Sequence, residues 1–84
     1  MIKCIVLSNL VLISTIEESP SELGEPDCKL INPYKIKKID SGYFLEPWLG
    51  EYSIQNSFMI SSDKIITIIE PNEVLLSKYE SVLK

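Results

Sequence analysis

The chain has 84 residues, with 8 lysines against 12 acids and a formal charge of −4, so it holds one small domain and not a multidomain enzyme. Arginine, histidine and alanine are absent, which excludes zinc sites with histidine ligands and catalytic triads built on histidine. Two cysteines, Cys4 and Cys28, are too few for a disulfide framework and read as small buried hydrophobes in a reducing cytosol.

Hydrophobic residues make up 45% of the chain, and thirteen are isoleucine. β-Branched side chains favour a pleated sheet, and the best helix former is missing, so a mainly β domain is expected. A domain of this size hides only about 60–65% of its unfolded-chain surface, which makes self-association an expected source of stability.

In chain order, residues 2–8 and 10–17 read as adjacent antiparallel strands joined by a tight turn at Ser8-Asn9, where asparagine tolerates left-handed backbone. The apolar run is too short to span a bilayer as a helix, and no small-residue cleavage pattern follows it, so a cytoplasmic protein is expected. Residues 18–26 carry Pro20, Gly24 and several acids, and predict an exposed connection. Residues 28–38 alternate as a strand, with Lys29, Lys35 and Lys37 on one face and Leu30 and Ile36 on the other. After the turn signal Asp40-Ser41-Gly42, residues 43–60 read as strand interrupted at Pro47. A last strand over 64–69 has isoleucines on both faces. Pro71 is expected to open a helix over 71–83, with Leu75, Leu76, Tyr79, Val82 and Leu83 in one stripe.

Two segments carry a family resemblance. Ile60-Ser61-Ser62-Asp63-Lys64-Ile65-Ile66-Thr67-Ile68 resembles the second signature of Sm and Sm-like proteins. Val6-Leu7-Ser8-Asn9 followed by Val11 to Ile16 resembles the first, with Ser14 standing where the family has the glycine that lets the second strand bend. Asp27 and Asn32 carry the residue types of a further family element at a different separation. The whole chain, with its Trp48 segment, Glu70-Pro71-Asn72-Glu73 and Leu76 to Tyr79, is also similar to short proteins encoded by marine cyanophages, which implies the cytoplasm of an infected host cell.

The resemblance implies a single domain over 1–84, a small, strongly bent, five-stranded Sm-like (SH3-like) barrel with a C-terminal α-helix. It implies copies pairing edge to edge in a homo-oligomeric ring that binds single-stranded RNA. Ser61, Ser62, Asp63 and Lys64 then form the RNA-facing loop. Tyr34, Lys35 and Lys37 form a second candidate contact, because residues 28–39 carry +4 while 1–27 and 40–84 each carry −4. The interface is expected from Ile65, Ile66, Ile68 and Ile69, joined by Phe58 and Trp48. The acid excess and the missing arginine support an alternative, a host- or phage-protein-binding adaptor without nucleic-acid affinity. No motif for catalysis, cofactor or metal is present, so a noncatalytic protein is expected.

Overall fold

The computed structural model describes residues 1–18 and 27–83. From residue 19 on, the connection expected at 18–26 lies outside the described residues. The chain is mainly β, with one antiparallel sheet and a C-terminal helix, an arrangement compatible with a small barrel. Its strands are β1 (Ile2–Val6), β2 (Val11–Glu18), β3 (Cys28–Ile39), β4 (Gly42–Pro47), β5 (Ser57–Ile60) and β6 (Thr67–Ile69); the helix is α1 (Glu73–Val82). The sheet order is β4-β3-β2-β1-β6, with β5 pairing the first residues of β3.

The first hairpin forms at Ser8-Asn9 as expected, closed by Leu7 N–H donating to Leu10 C=O at 2.9 Å. Three expected boundaries change. The strand placed over 43–60 divides into β4 and β5, because Trp48 to Tyr52 fold into tight turns closed on the carbonyls of Pro47 and Leu49. The last strand shortens from 64–69 to Thr67–Ile69, because Ser62–Lys64 wind into a 3-10 turn. The helix starts at Glu73, and Pro71 lies outside it. Asn72 takes the N-cap, its side-chain carbonyl accepting from Leu75 N–H at 2.8 Å and satisfying a donor that the helix leaves orphaned.

Both faces of the sheet are apolar, so neighbouring residues are buried in opposite directions. Cys4 and Ile13 pair on one face, where Leu45, Leu75 and Tyr79 complete a cluster under α1. Ile5 and Leu12 pair on the other, packed with Cys28 and Leu30 and edged by Trp48, Ile60 and Ile65. Burial pushes the Cys4 thiol pKa up, which disfavours the reactive thiolate. Of the expected helix stripe, Leu75 and Tyr79 are buried and Leu76 is half-buried, while Val82 and Leu83 remain exposed.

A β-bulge bends the sheet in its middle. Ile13 pairs with Tyr34 but Thr15 pairs with Ile31, so Ser14 faces the two residues Asn32 and Pro33. Asn32 takes φ 52°, a left-handed geometry that asparagine tolerates better than most residues. The buried Ser14 hydroxyl donates toward the carbonyls of Ile31 at 3.1 Å and Thr15 at 2.9 Å. Tyr79 closes the site from the helix: its hydroxyl accepts from Thr15 N–H at 3.1 Å and reaches the carbonyls of Asn32 at 2.9 Å and Ile31 at 3.2 Å.

Candidate functional site

The loop before β6 is the first candidate region. Ser61 is extended and half-buried, and Ser62, Asp63 and Lys64 form the exposed 3-10 turn, closed by Lys64 N–H donating to Ser61 C=O at 3.1 Å. Asp27, just before β3, holds this turn. One of its carboxylate oxygens accepts from Ser62 N–H and the other from the Ser62 hydroxyl, both at 2.8 Å. These bonds, the side-chain one first, hold the Asp27 pKa below the usual carboxylate range. Both donors of Ser62 are therefore used within the chain, while Lys64 makes no ion pair among the described residues.

The lysines of β3 are divided by the bulge. Residues directly opposite in an antiparallel pair share a face, and β2 runs regularly past the bulge. Lys29, opposite Glu17, thus shares the face of Thr15, Ile13 and Tyr34, whereas Lys35, opposite Leu12, lies on the other. The single face expected for Lys29, Lys35 and Lys37 is corrected on this ground: one extra residue in a strand inverts every side chain beyond it. Lys35 pairs with Glu46 at 3.0 Å, Lys29 reaches Glu17 at 4.0 Å, and Lys38 sits 5.7 Å from the Tyr43 ring centre. Lys37 is exposed and makes no ion pair among the described residues. Tyr34 packs edge-on with Tyr79, ring centres 5.9 Å apart, which ties it to the helix-side core.

The candidate interface residues separate into two groups. Trp48 and Phe58 contact each other at 5.7 Å between ring centres, and Trp48 and Ile65 pack on the inner cluster of their own chain. Ile66, Ile68 and Ile69 are exposed, Ile66 to 66% of its surface. β6 pairs only with β1, through Cys4–Ile69, Ile5–Ile68 and Val6–Thr67, so its second edge has no partner strand in the described sheet. β5 pairs only with β3, which leaves a second such edge carrying the exposed Met59. Lys3 is bonded to Glu70 at the end of β6.

Residues 1–84 match the model of a family of unknown function, DUF6561. The chain belongs to that family. No curated protein matches it.

Among the described residues of this DUF6561 chain, no group of histidine, cysteine, aspartate or glutamate is placed to hold a metal ion, and no helix is long and apolar enough to cross a membrane. One feature escapes a reading by strand periodicity. Where β4 and β5 part, they leave a groove of about 390 Å³ against the bulge of β3, lined by Asn32, Pro33, Trp48, Ile54, Asn56 and Phe58 among others. Its sequence signals are Pro33 inside a lysine-rich strand and the Pro47-Trp48-Leu49-Gly50 turn. Each marks an interruption, and only the paired strands show that the interruptions meet.

Proposed function

We propose that this DUF6561 chain is a noncatalytic, self-assembling Sm-like domain, whose copies join through the β6 edge into a ring that serves as a platform for a host or phage protein. The observation that carries the reading is the exposed edge of Thr67–Ile69. It has no partner strand among the described residues and is flanked by exposed isoleucines, and such an edge associates unless something covers it. The β5 edge, with Met59 exposed, supplies a second surface, so the contact can run head to tail and close on itself. The strand path β6-β1-β2-β3, continued by β4 and β5 together, supports the barrel reading.

The platform role is favoured over RNA binding by how the polar groups are used. Ser62 is occupied by Asp27, Lys35 by Glu46 and Tyr34 by Tyr79, and no arginine is present to clamp phosphate. A second reading, contact with single-stranded RNA through Lys64 and Lys37, keeps its support from those two lysines, which make no ion pair among the described residues.

Light scattering at micromolar concentration tests the assembly: the wild type runs as a homo-oligomer, and Ile68→Lys runs as a folded monomer. A monomeric wild type would remove the reading. The same oligomer titrated with oligouridylate at low salt separates its two roles, since only the RNA reading produces a shift that salt abolishes and that Lys64→Glu with Lys37→Glu removes.

A further inference from the structure

We propose that the groove between β4 and β5 binds an extended, apolar peptide segment of a partner protein, with a basic residue of that segment lying beyond Trp48. The groove exists because β3 serves two partners in succession. Its residues Cys28–Ile31 pair with β5 and Tyr34–Ile39 with β4, and the bulge residues Asn32 and Pro33 fall in the gap. The loop between β4 and β5 forms the opposite wall.

The walls are fixed before any ligand arrives. Trp48 N–H donates to Pro33 C=O at 3.0 Å, and Asn32 N–H donates to Asn56 C=O at 2.7 Å, pinning both ends of the loop to the bulge. Between these ties, Tyr52 and Ser53 N–H groups both donate to Leu49 C=O, and Leu49 is held at φ 63°. A side chain at Gly50 would bring its Cβ to 3.0 Å from that of Pro47, so the turn is packed as well as bonded. A groove ordered in advance loses little freedom on binding.

Its chemistry matches a peptide. Aromatic and proline side chains provide apolar slots, and Ile54 on the rim is fully exposed. The side-chain amides of Asn32 and Asn56 make no hydrogen bond within the described chain, and each offers a donor and an acceptor, the complement of a peptide unit. No lining residue is charged, which does not suit a polyanion. Across Trp48, an adjoining hollow of about 150 Å³ holds Lys35, Glu46 and Glu51. Lys35 is neutralised by Glu46, while Glu51 makes no ion pair among the described residues and leaves that end negative. Complementarity therefore places the basic residue at that end.

The site deepens the platform role but borders β5 through Phe58, so the titration is made on the wild type and on the Ile68→Lys variant alike, which tells loss of assembly from loss of peptide binding. Trp48 is the sole tryptophan and reports occupancy by its fluorescence. Selection from a randomised peptide library, followed by titration with the selected peptide, is expected to yield apolar sequences with lysine or arginine toward one end and a saturable change in Trp48 emission. Asn56→Ala, in the exposed loop, and Asn32→Gly, which accepts the same positive φ, should each weaken that peptide about tenfold while circular dichroism stays unchanged. The proposal is overturned by the absence of enriched peptides, by acidic consensus sequences, by affinity that survives both substitutions, or by oligouridylate competing for the same Trp48 signal.

Discussion

Tyr79 shows how one hydroxyl can hold a helix to a bend in a sheet. At the bulge the tyrosine oxygen lies within 3.2 Å of Thr15 N–H and of the carbonyls of Ile31 and Asn32. Its ring simultaneously fills the helix-side core, being completely buried. Tyr79→Phe keeps the ring and removes the hydrogen bonds to Thr15 N–H and Asn32 C=O, while Ile31 C=O keeps the Ser14 hydroxyl. We expect a loss of about 1–3 kcal/mol in urea unfolding. A loss below about 0.5 kcal/mol would mean that the bulge finds other partners.

At the scale of elements, the link between the start of β3 and the 3-10 turn depends on the charge of one carboxylate. Asp27 accepts two bonds from Ser62, and its pKa is lowered in the folded chain. A depressed folded value means that the unfolded state takes up the proton first. The tie therefore contributes fully above the unfolded value of about 3.9 and is lost as pH falls through the folded one. Asp27→Asn cannot titrate, so the stability difference between wild type and variant should shrink on acidification from neutral pH toward pH ~2. A difference that stays constant over that range would show that the tie does not depend on the charge of Asp27. The same element logic explains the divided lysines: Lys29 and Lys35 are six positions apart and would share a face in a regular strand, but the bulge lies between them.

At the scale of the whole molecule, burial on both sheet faces takes up only part of the isoleucine content: Ile5 and Ile13 are buried, whereas Ile39, Ile54, Ile66, Ile68 and Ile69 stay exposed. α1 covers one face through Leu75 and Tyr79, and the curled sheet with Trp48, Ile60 and Ile65 covers the other. Neither covers Ile66, Ile68 and Ile69. The expected monomerisation by Ile68→Lys follows from this, because the substitution places a charge at an exposed edge position and leaves the core intact.

Much of this architecture was legible in the order of residues. Apolar periodicity, the Ser8-Asn9 turn and the helix stripe are local patterns, imposed by steric rules acting within a few residues, and they correctly indicated a β-rich chain with a C-terminal helix. The candidate sites were less legible. That Ser62 is held by Asp27 across 35 positions, that Tyr79 reaches the bulge, and that Asn32 and Asn56 face one groove all depend on segments distant in the chain being brought together. Composition and periodicity establish which side chains must leave water. Strand register and a single inserted residue establish which of them meet, because contact is set by the pairing of elements and not by spacing along one of them.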